Sequence, residues 1–337
     1  MSFDLARSRI KCPLDLESPG KRAGNLALKY SDNANPLGIY PVPIMAIVGG
    51  PGPTTLLVAG VHGDEFEGPV ALIELFQQLD PARVRGRLLF LPALNAPAVR
   101  ASSRVSPLDG ANLNRAFPGD REGPPTAMLA HLVESVLMPG CDAVIDLHAG
   151  GKASFFTPCA LAARTADGAL SPANMALAEA FGAPAIWVLG RHNDDRSVNA
   201  AATRRNVPMI AAELGGNGAI TPDILALAGR GLRRCLAHLG HLDEMPPADC
   251  VSPRVVEIAD AGHSLHAPGH GLMEPLFVAG DWVREGQLLG RLYSLDDPAR
   301  PPVGIHAPTA GLVLAAGARG HVEHGDFVAL LATELAG

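Results

Sequence analysis

The stretch Thr54-Thr55-Leu56-Leu57-Val58-Ala59-Gly60-Val61-His62-Gly63-Asp64-Glu65 carries the clearest signal of fold class. Residues 54–60 form an apolar run without polar alternation, as strands covered on both faces do. The run breaks at a glycine. Just past that break stand His62 and Glu65, three residues apart, where two side chains leaving a strand can converge on one ion. A buried strand ending in chemistry is the signature of an open α/β sheet, whose ligand crevice lies outside the carboxyl ends of the strands.

The alternation of strands and helices continues along the chain. Residues 67–79 carry Val70, Leu72, Ile73, Leu75, Phe76 and Leu79 at close to helical spacing. Further strands are predicted at 88–93, 143–147, 184–189 and 209–212, and helices at 128–137 and 223–239. Strands alternating with helices predict an α/β fold with a mostly parallel sheet and helices on both faces. Residues 1–45 are expected to be an N-terminal segment of short strands packed on a catalytic domain of residues 46–243. Met245-Pro246-Pro247-Ala248-Asp249 then reads as a linker.

Beyond it, residues 252–337 predict a small all-β domain. This part contains a repeat: Ala267-Pro268, Gly271-Leu272, Gly280, Val283 and Gly286 recur as Ala307-Pro308, Gly311-Leu312, Gly320, Val322 and Gly325, the offset falling from 40 to 39. The pattern resembles the two halves of a biotinyl/lipoyl-like sandwich. Carrier domains of that kind are modified on a lysine, and the four lysines here are Lys11, Lys21, Lys29 and Lys152. The repeat therefore predicts a structural or site-covering module and not a carrier. Glu274 replaces an apolar position of the second copy (Leu314), either to face the active site or as an edge-strand charge. The C-terminal histidines (His263, His266, His270, His306, His321, His324) fit no ligand spacing.

Composition narrows the function. The 337 residues hold 27 Lys plus Arg against 34 Asp plus Glu, a net charge of −7, with 47% hydrophobic and 18% charged residues. That excludes intrinsic disorder. It also argues against nucleic acid as a partner, because phosphate binding needs clustered basic residues. No apolar run reaches the roughly 18 residues of a membrane span, and Asp4, Arg7, Arg9, Lys11, Asp15 and Glu17 leave no core for a signal peptide. Cys12, Cys141, Cys159, Cys235 and Cys250 are scattered, as in a reducing compartment. A cytoplasmic location is expected, and a homo-oligomer is left open.

The chemistry-bearing residues cluster at strand ends. Imidazole nitrogen and carboxylate oxygen, the groups His62 and Glu65 offer, are ordinary zinc ligands, and a catalytic zinc keeps three protein ligands. Asp146-Leu147-His148 closes another buried strand and supplies a third candidate, His148. Asp146 is read as either an orienting partner of a ligand imidazole or a solvated strand-end carboxylate. In Asn112-Leu113-Asn114-Arg115-Ala116-Phe117-Pro118-Gly119 an amide stands beside a guanidinium, which suits a substrate carboxylate. Glu213 closes the 209–212 strand, where desolvation should raise its pKa into the range of a general base.

This set resembles the succinylglutamate desuccinylase/aspartoacylase family, a branch of the zinc carboxypeptidase-like fold, over about residues 45–240 with an added C-terminal β domain. The Asn112–Gly119 run is most similar to its N-acetyl-diaminobutyrate deacetylase-type bacterial members. The resemblance implies one Zn²⁺ per chain on His62, Glu65 and His148, with Glu213 as catalytic base. It implies that Arg104 polarises the scissile carbonyl and that Asn114 and Arg115 hold the substrate α-carboxylate. The activity implied is hydrolysis of the amide bond of an N-acyl amino acid. A zinc carboxypeptidase acting on short peptides and a non-catalytic metabolite-binding protein are the alternatives. The charged loop Leu189–Ser197 is either plain solvated surface or the side-chain pocket. As a pocket it would use Asp194 or Asp195 for a cationic substrate, or Arg191 or Arg196 for an anionic one. The resemblance favours a neutral or cationic side chain, and with it a small acyl group such as acetyl.

Overall fold

Residues 54–59 of the run lie inside strand β3 (Gly50–Ala59), and alternate residues face two different cores. Leu56 and Val58 point into one, Leu57 and Ala59 into the other. A computed structural model describes residues 3–190, 193–248 and 252–335. The strands before the linker are β1 (Gly20–Tyr30), β2 (Gly38–Val48), β3, β4 (Arg85–Leu91), β5 (Ala143–His148), β6 (Ser154–Ala163), β7 (Ala185–Leu189) and β8 (Met209–Gly216). The helices are α1 (Glu67–Gln78), α2 (Ala96–Ala101), α3 (Pro125–His131, continued by a π-helical stretch Leu132–Leu137), α4 (Pro172–Phe181), α5 (Val198–Arg205) and α6 (Pro222–His238).

The sheet runs β1-β2-β4-β3-β5-β8-β6-β7. Strands β4, β3, β5 and β8 are parallel to one another. One core lies under α1, α4 and α6, where Leu72, Leu75, Phe181, Leu232 and Leu236 meet Leu57, Phe90, Ile145 and Ile210. The other lies under α2, α3 and α5, where Leu129, Val133, Val136 and Ala201 meet Leu56, Leu89, Val144 and Ala211. Strands so buried cannot alternate with polar residues, which is why the sequence shows continuous apolar runs.

Three features differ from expectation. The N-terminal segment is one long hairpin whose β2 pairs with β4 at Met45–Val48, not a set of short strands. Strand β6 and helix α4 were not legible, because the β6 sequence mixes Pro158 with small residues (Cys159, Ala160, Ala162, Ala163) of weak strand preference. Most consequentially, β6 runs antiparallel to β8, and β7 follows β6. Ala185 is level with Cys159 and Glu213, so β7 starts beside the catalytic end and Leu189 lies about 13 Å away from it. A strand's carboxyl end marks the crevice only where the strands run the same way.

After the linker come β9 (Arg254–Glu257), β10 (Ser264–His266), β11 (Gly271–Pro275), β12 (Trp282–Val283), β13 (Leu288–Tyr293), β14 (Val303–His306), β15 (Gly311–Gly317), β16 (His321–Val322) and β17 (Phe327–Glu334). The repeat is structural. Each copy gives two strands to each of two sheets: β10 and β12 join β15 and β17, while β11 and β13 join β14 and β16. Equivalent side chains share one core, including Leu265 with Ile305, Ala267 with Ala307, Val283 with Val322 and Leu289 with Val328. The first of these sheets is continuous with the large one, through β9 on β7 and β15 on the amino end of β6. Glu274 pairs across strands with Arg291 and accepts from the Tyr293 hydroxyl, both at 3.0 Å, so its charge is answered at the surface. No helix among the described residues is long and apolar enough to cross a membrane.

Candidate active site

Three neighbouring strands deliver the site. The β3–α1 turn carries His62 and Glu65, β5 ends on His148, and β8 carries Glu213 in register with His148. The turn is tight because Gly63 packs against helix α2, where a Cβ would come within 2.1 Å of Ala98 backbone atoms. No other residue fits there.

His62, Glu65 and His148 are all buried, with one ligand atom from each within 4.8 Å of the others. It is the one such group of three among the described residues, so the C-terminal histidines form no second cluster. The Glu65 carboxylate spans the pair, with Oε1 2.7 Å from His62 Nδ1 and Oε2 2.9 Å from His148 Nδ1. Each imidazole is held at its far nitrogen: His148 Nε2 is 2.9 Å from Asp146 Oδ2, and His62 Nε2 is 3.1 Å from Asn112 Oδ1. With a metal on Nδ1, those acceptors would take the Nε2 proton and so hold each ring in the ligating tautomer. A tetrahedral ion at ordinary bond lengths spaces its ligands about 3.4 Å apart. The cluster therefore needs only a slight opening to fit one.

Burial is the largest influence on the titration of all three groups. In Glu65 it pushes the pKa up, but His148 and His62 more than reverse this and hold the carboxyl well below its usual range. In His148 burial pushes the pKa down, and Asp146 with Glu65 drive it well above the ordinary value. His62 stays below it, because burial is opposed only by Glu65. The two imidazoles differ because one faces two carboxylates, the other a carboxylate and a neutral amide.

Glu213 lies at the rim. Burial first, then the charges of Glu65 and Asp146, push its pKa up to about 8, against the pull of His148 and Arg104. Its Oε2 is buried with no hydrogen-bond partner. An orphaned acceptor of this kind is costly unless something else binds it. Arg104 reaches in from a neighbouring loop, with Nη1 3.3 Å from Glu65 Oε1 and half of its side chain in solvent. The structure thus brings together His62, Glu65, His148, Glu213 and Arg104.

Asn114 and Arg115 stand next to this centre, since Asn112, two residues earlier, touches His62. Asn114 Oδ1 accepts from Val198 N at 3.0 Å, and Arg115 Nε is 2.9 Å from Asp194 Oδ2. Asp194 is paired a second time, by Arg196. Asp195 lines a separate cavity of about 1060 Å³ with Arg164, Arg204 and Glu257. Arg191 lies outside the described residues. Sequence reasoning passed over Asn112, although it stands within the quoted run, and over Lys152. Lys152 Nζ donates to Ser102 O at 2.7 Å and its backbone N to Asp64 Oδ2 at 3.1 Å, which ties the Arg104 loop to the turn after β5. The scarcity of lysine was the available signal.

Comparison with known proteins agrees with this geometry. Residues 51–239, more than half of the chain, match the succinylglutamate desuccinylase/aspartoacylase catalytic domain. The chain belongs to this family. It is 35% identical over 327 residues, 96% of its length and 95% of the relative's, to the N-alpha-acetyl-L-2,4-diaminobutyric acid deacetylase of Halomonas elongata. The product-bound ectoine utilization protein EutE of Ruegeria pomeroyi superposes with a TM-score of 0.91 at 36% identity, covering 97% of this chain and 99% of that one. A succinylglutamate desuccinylase/aspartoacylase from Rhodobacter sphaeroides gives 0.90 at 34%, covering 98% and 100%. Like its relatives, the chain is a hydrolase of N-acyl amides.

Proposed function

We propose that this family member is a zinc-dependent deacylase that hydrolyses the amide of a small N-acylated amino acid, N-acetyl-diaminobutyrate or a close analogue. The observation that carries the reading is the joint placement of the His62–Glu65–His148 cluster and the orphaned Glu213 Oε2 on one rim. The donor set of two imidazoles and a carboxylate suits Zn²⁺, one per chain, with His62 Nδ1, Glu65 and His148 Nδ1 holding it. When bound, the ion supplies Lewis acidity toward the amide carbonyl and toward water.

The chain's own residues do the rest. Glu213, with its raised pKa, takes a proton from the attacking water and returns it to the departing amine. Arg104 donates to the carbonyl oxygen as negative charge develops there. Asn114 and Arg115 hold the α-carboxylate and so fix the distance from the scissile bond to Glu213. The Halomonas relative's name supports acetyl as the acyl group and diaminobutyrate as the amine. In this reading the fold is zinc carboxypeptidase-like, divided into residues 1–45, 46–243 and 252–337, with a lysine-free biotinyl/lipoyl-like sandwich as the last part. Free cysteines support a cytoplasmic placement.

The test is amine release by the zinc-loaded protein over N-acetyl, N-formyl and N-succinyl amino acids, with short peptides alongside. N-acetyl-diaminobutyrate is expected to lead. A preference for peptides would make it a carboxypeptidase, and a preference for N-acetyl-aspartate or N-succinyl-glutamate would move the substrate class to acidic side chains.

A further inference from the structure

The loop that enters α5 carries Asp194, whose carboxylate is closed in by guanidiniums. Arg196 grips it twice, Nε to Oδ1 at 3.0 Å and Nη2 to Oδ2 at 2.9 Å, while the Arg196 backbone N donates to Oδ1 at 2.9 Å. On its other side Asp194 Oδ2 meets Arg115 Nε at 2.9 Å. Arg196 and Arg115 hold the Asp194 carboxyl well below the usual range. These three side chains sum to +1, a field that attracts a carboxylate and repels an ammonium.

The loop is anchored independently. Phe117 N donates to Arg196 O at 3.2 Å, and Arg204 Nη1 donates to Asp195 O. Arg204 is itself fixed by the buried Glu134, with contacts of 3.1 and 2.7 Å. Two residues past Arg196, Val198 donates its N–H to Asn114 Oδ1. One short stretch, 194–198, therefore holds both Asn114 and Arg115.

We propose that Asp194 is a positioning residue for the substrate-carboxylate clamp: it occupies the Nε edge of Arg115 and so presents the Nη1/Nη2 edge to the α-carboxylate. The proposal rests on the reading of Arg115 as part of that clamp. A guanidinium has five N–H groups. Asp194 and Asn114 O, the latter 2.6 Å from Nη1, engage two of them. The remaining three are one on Nη1 and two on Nη2, the pair of nitrogens whose outer edge makes a two-point fork. Without Asp194 the guanidinium is free to rotate about its last torsions, and the fork is no longer set before substrate arrives. Asp194 thereby acts on the substrate through Arg115 and not as the reader of a cationic side chain.

The experiment uses the zinc-loaded full chain, three substrates and four variants. The substrates are N-acetyl-diaminobutyrate, its α-carboxamide, and N-acetyl-2-aminobutyrate, which lacks the side-chain amine. Arg115→Ala, Asp194→Asn, Asp194→Glu and the Asp194→Asn/Arg115→Ala double variant are compared with wild type, and calorimetry follows binding of the free diaminobutyrate product and its carboxamide. Asp194→Asn is expected to raise KM about tenfold for both carboxylate substrates with kcat little changed, the pattern of lost uniform binding. The carboxamide should be unaffected, product binding should weaken in parallel, Asp194→Glu should restore part of the loss, and the double variant should equal Arg115→Ala alone. If Asp194→Asn is poorly folded, Arg196→Ala, which only loosens Asp194, should give a smaller KM rise with the same substrate pattern. A loss that follows the side-chain amine instead would overturn the proposal in favour of direct reading, and so would full additivity in the double variant. If Arg115→Ala does not itself distinguish carboxylate from carboxamide, the clamp reading fails before the role of Asp194 is reached.

Discussion

At the scale of single residues, the site pairs each reactive group with one that sets its state. His148 is oriented by Asp146 and His62 by Asn112, so removing either partner should loosen the metal without unfolding the chain. His148→Ala should lose most bound zinc, read by metal analysis, with an unchanged circular dichroism spectrum. Asp146→Asn, which keeps an oxygen but not the charge, should weaken zinc roughly ten- to hundredfold in a chelator competition. Wild-type protein that carries no stoichiometric metal and gains nothing from added Zn²⁺ would contradict both expectations. Glu213→Gln keeps the shape and the metal but loses the proton acceptor, and kcat should fall by about a hundredfold or more. Near-normal turnover would assign the base to another carboxylate. The ligand pattern was visible in the residues themselves, since His62-x-x-Glu65 and Asp146-x-His148 each close an apolar run. The partner of His62 was not, because nothing in sequence says that residue 112 folds back across fifty residues to touch it.

At the scale of elements, what matters is how helices and strands are pinned in register. His241 follows α6 and is fully buried, with Nε2 2.7 Å from Thr55 Oγ1 on β3 and Nδ1 2.7 Å from Arg85 O on β4. It ties the last helix to β3, which launches the turn carrying His62 and Glu65, and to its neighbour β4. His241→Ala should cost about 2–4 kcal/mol in denaturant unfolding, through the cavity and the stranded Thr55 hydroxyl. Burial keeps the His241 pKa below its ordinary value, against the pull of Arg85 O. The unfolded chain therefore takes up the proton first, so the contribution is fully present above about pH 6.5 and is lost as pH falls below it. Wild type should lose more stability than His241→Gln between pH 7.5 and pH 5.5. Equal losses would show that His241 does not titrate in this window. Element positions were largely legible: the 67–79 periodicity becomes α1, and the 223–239 pattern becomes α6. Direction was not. The run at 184–189 looks like the other buried strands, yet β7 runs the opposite way and carries its loop back along the sheet before reaching Arg115.

At the scale of the whole molecule, the C-terminal β region is joined to the rest by more than a linker. Ala315 and Ala316 pair with Phe156 and Phe155, Thr157 Oγ1 donates to Val313 O at 2.8 Å, and β9 completes the edge of β7. Strand β6 holds Phe155 and Phe156 against that seam and Cys159 against Glu213 on the next strand. Heating should therefore give one cooperative transition by calorimetry, and a fragment ending at residue 248 should expose the β7 edge and aggregate. Two separated transitions, or a soluble active fragment, would show that the two parts are independent.

Residue types in order along the chain decided which chemistry is possible here: two imidazoles and a carboxylate at the ends of apolar strands, a general-base candidate on a third, and an amide–guanidinium pair between them. Apolar periodicity also decided which segments are strands and which are helices, because a buried face imposes its repeat on local sequence. The repeat in the tail announced two equivalent halves. Only the tertiary structure decided strand direction, the fusion of the tail with the main sheet, and the partners of each charge. These depend on contacts between residues far apart in the chain, which leave no local periodicity. Asp194 shows the difference most plainly. In the sequence it is an acidic residue free to bind a cation, and in the folded chain it lies between Arg115 and Arg196 with its charge already answered.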